Sequence, residues 1–396
     1  NKQIKEWEFK LNREQQVILT LLREIDEICS ESGIECYLTP RLALHAVRGG
    51  HMPDNPFAGG VLMKVSDIEK FRLAVQKRKR SGRALESMYD NKRFPGFFLR
   101  YEDTNTLCFR MNEGRNYQYP GLGVDIYPLR GKIKSRLKHL WNRNLETGWK
   151  QFSDGRSEEY NWKERLCKIP VGLMFLGGRS RLGKHLYKKF CINQNESGDG
   201  EYVVRLKNAT LYYPAQLFKK TKRVLLEGTE FTIPENVDQY LRIWFGKKYE
   251  NKINDVYVPS LTVMISTQTG CEDFISRHRD QIRELVKERD VQYRKDEKGR
   301  KSRESLDWSW EYVKLKGEGI NLGQDYKEHK KYLMNLYENR DYLRLWDALK
   351  PYHNMMNKYR KKGEVYIPDQ EIFNLYMKTL AVRGEDKRVK QIKSAI

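Results

Sequence analysis

Residues 14–75 switch hydrophobic period several times, and few folds accept that order. Val17, Ile18, Leu21, Leu22, Ile25 and Ile28 recur at three- and four-residue intervals. That is the spacing of one helical face, so a helix is predicted over Glu14–Ser32, closed by Gly33. Ile34–Leu38 reads as a short strand and Arg41–Val47 as a second helix, ended by Gly49 and Gly50. Gly60–Val65 is strand-like, with Ser66 or Asp67 placed to cap a helix through Val75. Phe97–Tyr101 and Thr106–Met111 read as paired strands, and Gly123–Tyr127 as a strand stopped by Pro128. Helix, strand, helix, strand and then more strands predict an α/β (α+β) fold, a small mixed sheet with helices packed on it.

The texture changes twice along the rest of the chain. Leu137–Phe190 is mainly helical and basic, an insertion near 131–200. Tyr202–Leu206 and Val224–Leu226 are strand candidates, and Asn236–Phe245 a helix between Pro234 and Gly246. Beyond Asn254 helices dominate: Glu272–Arg294, Leu306–Val313, Tyr326–Glu338, Arg340–Asn357 and Asp369–Val382. Tyr332, Leu336, Leu343, Trp346, Leu349, Phe373 and Tyr376 are their expected core, and the almost wholly polar Lys295–Ser305 is the expected linker. The expected division is therefore 1–254, a sheet-containing domain, and 255–396, a basic helical domain.

A formal charge of +22 on 396 residues makes polyanions the natural partners: nucleic acid, anionic lipid or phosphate-rich glycan. Aromatic residues at 12% exclude a disordered chain. Six scattered cysteines contain no Cys-x-x-Cys pair, which argues against a structural zinc and against a disulfide framework. With the polar run Asn1–Lys10, which has no signal-peptide pattern, they lead to the expectation of a cytoplasmic protein. The longest apolar run, Ile169–Leu176, is far short of the roughly 20 residues a membrane-crossing helix needs. Cations follow it, so a core segment and a wedge lying on an anionic membrane face both remain open.

Three other motifs are weak. Gly178–Lys184 nearly spells a phosphate-binding loop, but His185 stands where a magnesium-binding hydroxyl belongs. His45 and His51 flank one loop without a third ligand partner. Basic helices with interleaved Tyr and Trp suit single-stranded nucleic acid, but also a packed core with a solvated basic face.

A wider pattern spans Leu11–Tyr249. Cys36-Tyr37-Leu38, Ala46-Val47-Arg48, Met52-Pro53, Met63 with Ser66–Phe71, and Val124-Asp125-Ile126-Tyr127-Pro128-Leu129 occur in this order. Tyr213-Pro214, Leu226-Glu227-Gly228, Phe231, Pro234, Asp238, Tyr240-Leu241 and Gly246 follow. This series resembles the LicD/fukutin-like family of the nucleotidyltransferase-fold superfamily. The resemblance implies a phosphotransferase that moves phosphocholine or a related group from a cytidine-diphosphate donor to a cell-surface glycan such as teichoic acid, with Mg or Mn held by three carboxylates. It implies as partners a phosphorylated glycan or nucleotide-diphosphate ligand, an anionic membrane surface on the inner face, and a catalytically intact relative.

The chain departs from the family where the chemistry lies. Pro40-Arg41-Leu42 stands in place of Gly-Gly-Thr, and the two aspartates of the Asp-x-Asp pair fall on Ala58 and Gly60. Neither replacement offers a side-chain oxygen to a hard cation. Asp125 is the one remaining metal ligand and catalytic candidate, with Asp54 or Asn55 as an alternative ligand in a rearranged site. Arg41, Arg48 and Lys64 are phosphate-binding candidates, and Glu227 matches a family motif without an assigned role. A pseudoenzyme and a rearranged enzyme both fit these residues, as does a basic scaffold for nucleic acid or a partner protein.

Overall fold

The computed structural model describes residues 11–53, 55, 59–110, 118–133, 135–154, 166–174, 178–192, 200–205, 210–247, 249, 263–277 and 303–396. The chain forms two compact units. The first takes in the described residues through Phe109, those from 118 to Tyr249, and 266–277. The second is built mainly on 303–396. The expected boundary at 254/255 lies outside the described residues.

The first unit opens as its periodicity predicts. α1 (Arg13–Glu31) starts with a capping box in which Asn12 and Gln15 exchange side-chain and backbone hydrogen bonds. β1 (Cys36–Leu38), α2 (Pro40–Arg48), β2 (Gly60–Lys64) and α3 (Val65–Arg78) follow. Proline begins α2 because its missing N–H is one the first helical turn never uses. Neither Ser66 nor Asp67 caps α3: the helix starts one residue after Lys64, with no side-chain cap, and Asp67 lies in its first turn.

The mixed sheet also contains β3 (Arg83–Glu86), β4 (Leu99–Asp103) and β6 (Leu122–Gly131), and five of its seven strands lie in the order β1-β2-β6-β4-β3. The expected hairpin of β4 with β5 (Leu107–Arg110) does not form, because β4 pairs with β6 and β3. The Thr106 hydroxyl donates to the Asp103 carbonyl and accepts the Leu122 N–H, which starts β6 alongside the end of β4.

β6 also runs straight through Pro128, the expected stop. Its ladder to β4 ends at Ile126, and its ladder to β7 (Glu201–Arg205) begins at Arg130. Proline sits in the gap, where neither ladder needs its missing N–H. All ten residues of β6 are buried, so it is the strand around which the unit is assembled.

Helices α4 (Arg136–Asp154), α5 (Lys168–Met174) and α6 (Arg179–Tyr187) make up the basic insertion. β7 then pairs with β8 (Thr210–Pro214), and β9 (Thr221–Leu226) with β10 (Thr229–Pro234). Helix α7 (Val237–Phe245) follows, capped by Asn236. Among the described residues no helix is long and apolar enough to cross a membrane.

The second unit is helical: α8 (Arg303–Glu328), α9 (Lys330–Glu338), α10 (Tyr342–Arg360), α11 (Gln370–Val382) and α12 (Asp386–Lys393). α8 begins inside the expected linker, whose earlier residues lie outside the described ones. Leu336, Leu349, Phe373 and Tyr376 are in the core as expected. Tyr332 is 55% exposed and Leu343 80%, which corrects two of the core assignments. Tyr332 lies off the face of α9 that buries Leu333 and Leu336, and Leu343 sits in the first turn of α10. Pro351 lies inside α10, and the Tyr326 hydroxyl bonds the helix backbone beside it. It donates to the Ala348 carbonyl at 2.6 Å and accepts the Tyr352 N–H at 3.2 Å.

Candidate functional site

The sheet register lines up four residues across four strands. Gly60 on β2 pairs with Asp125 on β6, Asp125 with Arg100 on β4, and Arg100 with Glu86 on β3. Residues opposite one another in a ladder share a face, so the four form one row, and Glu102 lies on the same face two residues beyond Arg100. The other face of β4 and β6 carries Leu99, Tyr101, Val124 and Ile126, all buried on the α1 side, where the Tyr101 hydroxyl donates to Glu24.

Asp125 is 7% exposed and held at both oxygens. Arg100 Nη1 donates to Oδ1 at 2.8 Å, and the Tyr127 hydroxyl to Oδ2 at 3.1 Å. Arg100 Nε also lies 3.4 Å from Glu102 Oε2. A glycine makes this packing possible. A Cβ at position 123 would come within 2.9 Å of Arg100 Nε and 3.0 Å of Glu102 Cβ.

Burial sets the electrostatics of the row. It pushes Glu102 well above the ordinary carboxyl range, and the neighbouring Glu86 carboxyl pushes the same way. Burial also raises Glu86, against hydrogen bonds donated by the backbone of Gln118 at 2.7 Å and by the Asn91 amide. One guanidinium thus lies among three acids, and Glu102 retains its proton above the usual carboxyl pKa.

The residues of this row do not fit a two-metal centre. Such a centre needs several carboxylate oxygens converging on a shared space. Gly60 supplies none, and a Cβ there would meet Thr39 Cγ2 at 3.0 Å, the Asp125 carbonyl oxygen at 3.3 Å and Tyr127 Cε2 at 3.4 Å. An aspartate in its place would force its neighbours aside. Arg100 already supplies a positive charge to Asp125. Among the described residues no group of three or more His, Cys, Asp or Glu is arranged to hold a metal. Asp54 and Ala58 lie outside the described residues.

The remaining candidates are dispersed. Lys64 stands four residues beyond Gly60 on β2, roughly 13 Å along a strand, and donates to Glu35 at 2.6 Å. Arg48 ends α2 and donates to the Tyr249 carbonyl at 2.6 Å. Arg41 is half-buried in the first turn of the same helix.

Glu227 acquires a clear structural part. It and Gly228 form the two-residue turn between β9 and β10, both at positive φ (47° and 69°). The Glu227 N–H donates to the Gly50 carbonyl at 2.6 Å, and its carboxylate accepts the Met52 N–H at 2.8 Å. Gln15 donates to the Pro53 carbonyl from the other side. The backbone that follows α2 is thereby clamped.

A separate cleft of about 510 Å³ is lined by Arg72, Arg78, Lys79, Arg80 and Arg83. Its arginines are paired with acids: Arg72 with Glu69, Arg78 with Glu27 and Glu31, Arg80 and Arg83 with Glu24. This compensation removes the case for it as a phosphate site.

The residues sequence reading missed are Arg100, Glu102 and Glu86, while Tyr127 stood in the motif around Asp125 without a role. Charged and apolar residues alternate from Leu99 to Glu102, which reads as a strand with one wet face, yet Arg100 and Glu102 are both buried. The available signal was Gly123, two residues before Asp125. No protein-family model matches this chain, and a search of curated proteins finds no relative.

Proposed function

We propose that the first unit is a nucleotidyltransferase-like domain of the LicD/fukutin type that has given up two-metal phosphoryl chemistry and serves cell-surface glycan decoration as a weakly active or inactive member. The observation that carries this reading is the row Gly60–Asp125–Arg100. Where the resemblance implies a second carboxylate there is a glycine hemmed in by Thr39 and Tyr127. Beside Asp125, where it implies a divalent cation, there is a guanidinium. A fixed monovalent cation bonded to Asp125 cannot clamp both the entering and the leaving oxygen of a transferred phosphoryl group, which is the work of the metal pair.

The ligand class that remains is anionic: a nucleotide diphosphate or a phosphorylated glycan, attracted by the net charge of +22. The proposed setting is the face of an anionic membrane. The reading is tested by calorimetry with manganese and with a cytidine diphosphate ligand, beside a transfer assay. The expected outcome is little metal uptake without nucleotide, measurable salt-sensitive binding of the phosphorylated ligand, and negligible transfer. Magnesium-dependent transfer that Asp125→Asn abolishes would overturn it in favour of a rearranged enzyme.

A further inference from the structure

The first unit carries an apolar stripe that the fold leaves outside its core. Leu166, Ile169 and Leu173 are spaced three and four residues apart along α5 and the turn before it, and are 52%, 58% and 63% exposed. The opposite face of α5 is firmly packed. Val171 is wholly buried against α4 at Gly148, where a Cβ would come within 2.7 Å of Val171 Cγ2 and 2.3 Å of the Cys167 carbonyl oxygen. The Lys168 ammonium lies 5.7 Å from the centre of the Phe152 ring on α4. The helix therefore cannot turn its stripe inward without giving up that contact.

The segment that carries α5 and α6 holds charge of one sign. Residues 166–192 contain Lys168, Arg179, Arg181, Lys184, Lys188 and Lys189, and neither Asp nor Glu. The chain as a whole has 53 acids in 396 residues, so a stretch of this length would ordinarily hold three or four. α6 is the next described helix and is anchored to the same junction: Arg179 donates to the Phe152 carbonyl at 3.2 Å, and Gly183 lies against Trp149. Arg181 and Lys184 on α6 are exposed. α4 repeats the combination in its first turns, with Leu137 81% and Trp141 49% exposed near Arg136 and Lys138.

We propose that α5 and its flanking cations form a docking surface for an anionic lipid bilayer, with Leu166, Ile169 and Leu173 entering the interface and Arg181 and Lys184 meeting headgroup phosphates. The inference does not depend on whether transfer chemistry survives in the domain. The chemistry of the face selects this occupant. A nucleic acid gains nothing from three exposed aliphatic side chains, and a second copy of the chain docked through this face would set identical cations against one another. A bilayer with anionic headgroups answers both features: short apolar side chains enter the acyl boundary while cations are held at the phosphates.

The test is partition of the full chain onto vesicles of phosphatidylcholine with and without phosphatidylglycerol, followed by sedimentation. Anionic vesicles are expected to bind about tenfold or more better than neutral ones, an advantage that raised salt removes. The double variant Ile169→Glu, Leu173→Glu changes only exposed side chains. It should keep the wild-type circular dichroism and lose about tenfold or more of the vesicle partition. Arg181→Ala with Lys184→Ala should weaken binding to anionic vesicles alone. The proposal is overturned by equal binding to both vesicle types, by no binding, or by binding that the two glutamates leave unchanged. It is equally overturned if light scattering finds a dimer that Ile169→Glu, Leu173→Glu dissociates, because a second copy then covers the stripe.

Discussion

Arg100 is buried beside two carboxyl groups, so its loss should cost the first unit substantial stability. It is 5% exposed, 2.8 Å from Asp125 and 3.4 Å from Glu102. Removing one side of a buried ion pair takes the countercharge away from the other, at a cost of about 3–5 kcal/mol. Arg100→Met should therefore lower the unfolding free energy by about that amount in urea titrations. Adding Asp125→Leu removes the carboxylate that Arg100 neutralised, and the double variant should recover more than half of the loss. Glu102 makes a different prediction, through pH. Its folded pKa lies above the ordinary 4.5, because burial penalises the charged form. Between those two values the folded state binds more protons than the unfolded one, so this group makes stability fall as pH rises. Glu102→Gln keeps the shape and stays neutral. As pH rises above the ordinary carboxyl range the variant should lose less stability than the wild type, and should become the more stable of the two.

At the scale of elements, the β9–β10 turn links one loop to the rest of the unit. A two-residue turn with positive φ at both positions favours Asn-Gly, yet this chain places Glu227 there at φ 47°. The side chain accounts for the choice, since only its reach brings a carboxylate to the Met52 N–H. Glu227→Asn separates the two demands. Asparagine suits the turn but falls short of Met52, so global stability should change by less than about 1 kcal/mol while the Met52 amide exchanges its hydrogen markedly faster. The same turn illustrates what a sequence discloses. Helices and strands from Arg13 to Arg78 were legible because local period fixes them. The ladder gap that admits Pro128, and the Thr106 hydroxyl that leads β6 beside β4, depend on partners distant in sequence and left no local trace. Arg100 escaped notice for a related reason: alternation marks a strand, but does not say that both of its faces are covered.

For the molecule as a whole, the question is whether the helical unit stands by itself. Its core is continuous through α9, α10 and α11, with Leu345, Leu349, Tyr352, Met356, Tyr376 and Leu380 all fully buried. Its inner hydrogen bonds close within the unit: the Tyr352 hydroxyl donates to the Tyr366 carbonyl at 2.9 Å, and the Tyr366 hydroxyl to the Gly319 carbonyl at 2.5 Å. A fragment spanning 303–396 should accordingly fold as a helical, cooperatively melting domain in circular dichroism, and a non-cooperative melt would contradict this reading. The fragment also isolates the contact beside Pro351. The Tyr326 hydroxyl serves the Ala348 carbonyl and the Tyr352 N–H, two backbone groups that a regular helix would have joined to each other. Tyr326→Phe removes that bridge without emptying the core. Losing both hydrogen bonds should cost about 1–3 kcal/mol, read as a lower denaturation midpoint with an unchanged urea slope. A much smaller loss would mean that α10 satisfies both groups by itself, with Tyr326 contributing only its ring.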